Sequence, residues 1–501
     1  MTTEPRSIPE LLRQRVEAAP DKPFIFSESD QRQFTYKQFE AAVKRTASLL
    51  AANGIGKGDV VSLLMPNSVE YVIAYFACWQ LGALAGPINS LLKAPEIAYV
   101  ISNSEAKAWL VNSEFIPIVE AIRDQVCPVI IPFDNEAEVT ADERGLNTDI
   151  SLEDEAIIIY TSGTTGKPKG CLLTHGNLIA NARQISGWLK FTEADRLLTI
   201  MPLFHMNAVS VTTMSALYAA GSTVVSPKFS ASRFWQIISD YQITSFGSVA
   251  TMLSMLLTTY PDGVPEGLKT DQLRFAMCGS APVPAEVLRR FEETFNCLVV
   301  EGYGLSESTC RSTFNPPDTR RRPGSCGVPI GNEMRVVDEE DREVPDGELG
   351  EIVLKGENVL KGYYKNDLAN ETAFRNGWFH TGDIGYRDAD GFFYIVDRKS
   401  DMIIRGGENI YPREIDEVLY QHPDIAAAAV VGVPDALYGE EVAAVVVLQS
   451  GATTTEQDVI DYCKARLADF KCPKTVHFVG DIPKGPTGKL LKRELAKMLS
   501  A

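Results

Sequence analysis

The chain has 501 residues and a formal net charge of −18. So acidic a protein argues against nucleic acid or an anionic membrane as the main partner, since both need a positive footprint. Hydrophobic residues make up 45% and charged residues 23%, enough to build a large core, and the length suits about three domains or one large α/β unit with a small one.

The predicted elements alternate from the start. The N-terminus, MTTEPRSIPELLRQRVEAAP, has no apolar signal core, and the final LSA is not a peroxisomal address, so a cytoplasmic location is expected. Ser7 with Glu10 and Thr35 with Gln38 match the capping box that satisfies orphan N–H groups at a helix start. After the second box Phe39, Val43 and Leu50 keep one helical face, and Asn53-Gly54 is a helix stop. VVSLLM at 60–65 predicts a buried strand, followed by a helix over about 68–80 and a strand near 83–88. The run at 72–88 is the best candidate for a membrane span, but it is shorter than the roughly 20 residues required, and Gln80, Gly82, Gly86 and Pro87 interrupt it. AWLVN at 108–112, PVIIPF at 128–133, LLTIMPLF and STVVSP continue the pattern, which predicts parallel α/β layers.

From about 325 the texture changes. VVDEEDREVPDGELGEIVLKG and GFFYIVDRK alternate apolar and polar residues between Gly and Asp turns, predicting a small antiparallel β subdomain. The last hundred residues read as a separate α+β unit. It has a helix at 412–421 with Ile415, Val418 and Leu419 on one face, and strands at IAAAAVVGV and EVAAVVVL. A further helix, capped by Thr453 with Glu456, bears Val459, Ile460, Cys463 and Leu467. The boundary falls in DRKSD, giving domains 1–399 and 400–501. Nine cysteines without a CxxC suggest buried thiols in a reducing compartment rather than zinc ligands or disulfides.

Residues 160–170 read YTSGTTGKPKG. This is not a Walker A loop: Gly163 and Gly166 are three apart, and Lys167 precedes Pro168. There is no GxGxxG after a strand, no GxSxG elbow and no HExxH. The loop still suits polyphosphate. Gly163, Gly166 and Gly170 let N–H groups converge as a nest, Ser162, Thr164 and Thr165 add hydroxyl donors, and Lys167 and Lys169 add positive charge.

With its distant companions the loop resembles the phosphate loop of the adenylate-forming superfamily, which comprises acyl- and aryl-CoA synthetases, nonribosomal-peptide adenylation domains and beetle luciferases. FTYKQF (34–39), MPLFH (201–205), GSAP (279–282), EGYGLSE (301–307), GWFHTGD (377–383), DRKSDMIIRGGENIYPREID (397–416) and GPTGKLLKREL (485–495) resemble the other motifs, in the family's order. The implied fold is a large N-terminal α/β domain with a β-rich subdomain, and a small mobile α+β C-terminal domain.

The resemblance implies two half-reactions. A small carboxylic acid attacks the α-phosphorus of ATP, giving an acyl-adenylate and pyrophosphate; coenzyme A then displaces AMP. Delivery of the acyl group to a carrier protein is the alternative. Thr161, Ser162, Gly163, Thr164, Thr165, Gly166, Lys167 and Lys169 would hold the leaving phosphates. Gly279, Ser280, Ala281, Gly302, Tyr303 and Gly304 would form the nucleotide and acyl walls, with Tyr303 stacking on adenine. Ser306 would reach the α-phosphate, and Glu307 would help bind Mg²⁺. Asp383 would accept both ribose hydroxyls, with Arg398 nearby. Lys489 would bridge the substrate carboxylate and the α-phosphate, from a tail with five basic residues and one acid between 484 and 497.

For the second half the C-terminal domain would rotate about Ser400, a position where Asp or Lys is frequent. Gly406 and Gly407 would then line a pantetheine tunnel gated by His205. His205 stands where amino-acid-activating domains carry Asp, which favours an acid without an α-amine. Asn207, Ala208, Ser248, Val249 and Ala250 should border the acyl pocket. Short aliphatic, aryl and crotonobetaine-like acids all remain open, as do monomer and homodimer.

Overall fold

The computed structural model describes residues 4–500, apart from 127, 140–145, 147–148, 162–167, 280–282, 284 and 485–489 and the side chains of 493 and 500. Two seven-stranded sheets form the body. The first runs, edge to edge, through Leu298–Glu301, Phe275–Cys278, Ser245–Ser248, Arg196–Thr199, Ser222–Val225, Pro23–Ser27 and Gln33–Thr35, and all neighbours are parallel except the last pair. The second runs through Gly362–Tyr363, Lys169–Thr174, Glu155–Thr161, Leu84–Pro87, Val60–Leu64, Ala108–Val111 and Val129–Pro132. It is parallel from Glu155–Thr161 onward, whereas the phosphate-loop strands Glu155–Thr161 and Lys169–Thr174 pair antiparallel.

The run at 72–88, too short and interrupted for a span, is the helix Val69–Leu81 leading into the strand Leu84–Pro87; the helix buries twelve of its thirteen residues between these sheets. Its Trp79 donates to Ala156 O at 2.9 Å in the second sheet, and Tyr75 donates to Leu203 O at 2.7 Å beyond the end of the first. Ser68 caps it, and Gly82 ends it in the left-handed region. No helix among the described residues is long and apolar enough to cross a membrane.

The expected caps divide. Thr35 and Gln38 form the full reciprocal box. Ser7 accepts from Glu10 N, but the Glu10 carboxylate takes Arg6 N instead of closing the box. The third cap is corrected: Thr455, not Thr453, caps Glu456–Lys464, because Asp458 stands at the position that returns the bond. Thr454 bonds Asp424, and the Glu456 carboxylate accepts Val476 N at 2.9 Å.

The antiparallel sheet appears where the texture changes, with strands Glu333–Val337, Gly350–Lys355, Trp378–Arg387, Phe374–Arg375 and Phe393–Arg398. Its register sets Asp383 opposite Arg398. One large apolar cluster extends from Ile8 to Phe393. The C-terminal sheet, built on Ile425–Asp435 and Gly439–Leu448, buries both of its faces within its own unit. Ala428, Val430 and Val442 meet Ile415, Leu419 and Val459 on one face, while Ala429, Val431 and Ala443 meet Ile482 and Leu495 on the other. Polar contacts join the units: Arg413 N donates to Asp397 Oδ2 at 3.0 Å, and its guanidinium donates to Ile395 O.

Candidate active site

Open parallel sheets present ligands at the carboxyl ends of their strands, and a cavity of about 1140 Å³ opens there. Met201 and Phe204 follow the strand Arg196–Thr199, Val249 and Ala250 follow Ser245–Ser248, Gly279 follows Phe275–Cys278, and Gly302, Tyr303 and Gly304 follow Leu298–Glu301. The antiparallel sheet contributes Asp383 and Arg398, and the C-terminal unit contributes Arg413, Asp416, Lys484, Leu490 and Lys492. Gly279 and Gly302 lack side chains for want of room: a Cβ on Gly279 would stand 2.6 Å from Gly302 O, and one on Gly302 would stand 2.5 Å from the Phe314 ring.

Three of the expected nucleotide residues meet directly. Tyr303 donates its hydroxyl to Asp383 Oδ2 at 2.6 Å, and Arg398 Nε lies 3.1 Å from Asp383 Oδ1. Burial, then the Asp383 charge, pushes the Tyr303 phenol far above its ordinary range. Burial opposes the Arg398 charge, but Asp383 and its neighbours outweigh it and hold the guanidinium above the usual arginine value.

A second cluster surrounds Glu307. Its Oε1 accepts from Thr161 Oγ1 at 3.3 Å and from Tyr363 at 3.1 Å, and the Lys169 ammonium lies 5.0 Å over the Tyr363 ring. Ser306 opens the short turn that carries Glu307. No group of three His, Cys, Asp or Glu that could hold a metal occurs among the described residues; around the Glu307 carboxylate stand the hydroxyls of Thr161 and Tyr363. Such hard oxygen donors fit Mg²⁺ when phosphate oxygens complete its shell.

Ser162, Gly163, Thr164, Thr165, Gly166, Lys167, Ser280, Ala281 and Lys489 lie outside the described residues. The flanks of the lysine-bearing segment are described: Lys484 and Leu490 pair as an antiparallel bridge, and both line the cavity. Just beyond, Lys492 donates to the partly buried Asp416 at 2.7 Å. Burial raises the Asp416 carboxyl despite the pull of that ammonium.

Other expected residues stand off the cavity wall. His205 packs its ring 4.6 Å from Phe204, and Phe204 is the one that reaches the cavity. Burial lowers the His205 pKa to about 4, and its Nε2 has no partner. Gly406 and Gly407 form the two-residue turn between Ile403–Arg405 and Glu408–Ile410, both left-handed at φ 60° and 93°, at an exposed tip. Ser400 donates to Asp401 Oδ1 at 3.0 Å. Asn207 and Ala208 begin the buried π-helical segment Asn207–Met214, and Ser248 donates to Met277 O at 3.0 Å.

The structure adds residues that were given no role from the sequence: Glu301 and Arg413, which lie inside the quoted motifs, and Arg311 and Tyr363, which lie outside them. Glu301 is buried in the cavity wall, and burial raises its pKa to about 8. Glu301 opens the EGYGLSE segment and Arg311 follows it by four residues.

Comparison with known proteins identifies the family. Residues 12–364 match the family model of AMP-binding enzymes, and residues 414–489 match the AMP-binding enzyme C-terminal domain. A sulfoacetate–CoA ligase of Cupriavidus necator is 36% identical over 508 residues, covering 98% of each chain. A long-chain-fatty-acid–CoA ligase of Mycobacterium tuberculosis is 38% identical over 504 residues, again covering 98% of each. The solved o-succinylbenzoate CoA synthetase of Bacillus subtilis, in complex with its acyl-adenylate intermediate, superposes with a TM-score of 0.88 at 34% identity, covering 97% of both chains. The chain belongs to the AMP-binding enzyme family, and within it to the AMP-forming acyl-CoA synthetases.

Proposed function

We propose that both half-reactions of this acyl-CoA synthetase run in the one cavity, with residues 400–501 turning about Ser400 between them. An oxygen of the acid's carboxylate bonds to the α-phosphorus of ATP as the bond to pyrophosphate breaks. The thiol of coenzyme A, losing its proton, then adds to the acyl carbonyl and AMP leaves. Asp383 takes the ribose hydroxyls, Tyr303 lies against adenine, Ser306 faces the α-phosphate, and the loop from Thr161 to Lys169 steadies the departing phosphates. Glu307 would hold Mg²⁺ together with the phosphates, and the ion would supply neutralisation of their charge. Lys489 draws the two anions together at the reacting centre. After the turn, Gly406 and Gly407 admit the pantetheine arm and His205 gates it.

The observation that best supports this reading is that Lys484 and Leu490, on either side of the Lys489 segment, line the same cavity as Asp383, Tyr303 and Arg398. Nothing in the comparisons favours a carrier protein as acceptor. The eight described cysteines are all free and seven are buried, which agrees with work in a reducing cytoplasm. The relatives' names run from a sulfonated acid to long-chain fatty acids, so membership leaves the acid open. The test is pyrophosphate release over a panel of carboxylic acids, with and without coenzyme A and with Mg²⁺ present or chelated. Pyrophosphate that requires acid and Mg²⁺, with thioester and AMP appearing only when coenzyme A is added, is expected. ATP binding without pyrophosphate release for any acid would overturn the proposal.

A further inference from the structure

Behind the inner wall of the cavity lies a charge that the mechanism above does not use. Arg311 is 1% exposed. Its guanidinium rests over the Phe314 ring at 5.5 Å, which serves its face but not its edge. Nε and Nη2 are both buried without a hydrogen-bond partner, and no carboxylate pairs with the side chain among the described residues. These two atoms form the side-on fork that grips a carboxylate with two parallel bonds. Stranding that fork away from water is costly unless an anion answers it.

The fork's neighbours tie it to the acyl pocket. Gly279 lines the cavity, and a Cβ there would stand 2.7 Å from Arg311 Nη2, so the guanidinium leans on the wall where no side chain intervenes. Asn207 is also buried, and both atoms of its amide lack partners. Its Oδ1 would stand 2.8 Å from a Cβ on Gly247, whose strand Ser245–Ser248 pairs with Phe275–Cys278, the strand that ends one residue before Gly279. Asn181 holds the same corner together: it donates to Arg311 O at 2.6 Å and accepts from Ser210, three residues along from Asn207, at 2.9 Å. A buried cation and a free amide therefore gather at the carboxyl ends of two adjacent strands.

Resting on the reading of the cavity as the acid-activating site, we infer that its inner end is an oxyanion subsite, and that the acid carries a second anionic group, a carboxylate or a sulfonate, which Arg311 grips and Asn207 assists. The acid's reacting carboxylate stays at the nucleotide while its far end discharges the buried guanidinium. A methyl-ended acid of equal length leaves that fork empty, and such a site discriminates strongly against it.

The test is kcat/KM for thioester formation with malonate, succinate and sulfoacetate against propanoate, butanoate and pentanoate, for the native enzyme, R311K and R311M. The native enzyme is expected to favour the doubly anionic acids by roughly 10²-fold or more. R311M should erase or invert that preference, and R311K should keep part of it. The dicarboxylate and sulfonate arms show which head group fits the fork. A native enzyme that prefers methyl-ended acids, or a folded R311M with an unchanged ratio, means that Arg311 is served by water alone, and the inference fails while the adenylating reading stands. No pyrophosphate from any acid would sink both. If R311M does not fold, the native ratio and R311K decide.

Discussion

The Tyr303 hydroxyl donates to Asp383 Oδ2 at 2.6 Å, linking the loop after a parallel strand to the antiparallel sheet. The bond spans 80 residues of sequence and ties two walls of the cavity together. Asp383 is 3% exposed, and Arg398 holds its other oxygen.

Asp383→Asn keeps the shape but removes the charge and half of the acceptor capacity. The KM for ATP should rise tenfold or more, about 1.4 kcal/mol or above, with little change in the KM for the acid. Steady-state kinetics varying each substrate in turn checks this; equal changes in both would mean that Asp383 serves the whole scaffold.

Lys489→Ala should cut ATP–pyrophosphate exchange by roughly 10²–10³, yet leave conversion of a supplied acyl-adenylate to thioester close to native. Loss of both half-reactions in equal measure would refute the assignment.

Much of this architecture was legible in the chain. The buried helix Val69–Leu81 is announced by Ser68, the apolar run from Tyr71 to Trp79 and Gly82, because local capping and burial demand the same residues. The Thr455 cap was missed since three threonines precede Glu456 and only the tertiary bonds of Thr454 and Glu456 select among them. In the site, the motifs indicated Tyr303, Asp383, Arg398 and Glu307, which the fold brings into two clusters. Glu301 was not legible as a group of the cavity wall, nor Arg311 as a buried charge behind it. Their meaning depends on burial and on the neighbours that strand order supplies, and neither has a spacing signature.

Glu301 provides a pH test. Burial lifts its pKa from the ordinary 4.5 to about 8, against the Gly324 N–H that it accepts. Between those values the folded protein holds a proton that the unfolded chain has lost. Stability is therefore full below pH 4.5, falls as pH rises through the window, and levels above 8. Glu301→Gln should remove that fall, a difference of up to about 1.4 kcal/mol per pH unit, read as urea midpoints at pH 5.5 and 8.5. Parallel pH profiles for the two proteins would contradict it.

Gly407→Val tests the exposed turn. Nothing lies within 4 Å of a Cβ there, so the penalty comes from φ 93° alone, and roughly 1–2 kcal/mol of local strain is expected. Thioester formation should slow markedly while pyrophosphate exchange persists. Loss of exchange to the same degree would show that the turn matters for folding rather than for the thiol step.

The C-terminal sheet, closed on both faces by its own helices, has a mechanical consequence. A swing of that unit uncovers no apolar core, so the barrier to turning is set by a handful of polar couplings such as Arg413 with Asp397 and Ile395. Water can replace such couplings one at a time. In the proposed turn about Ser400 the unit would be a stiff lever on a lightly latched bearing, with bound substrates, rather than the fold, deciding between its two positions.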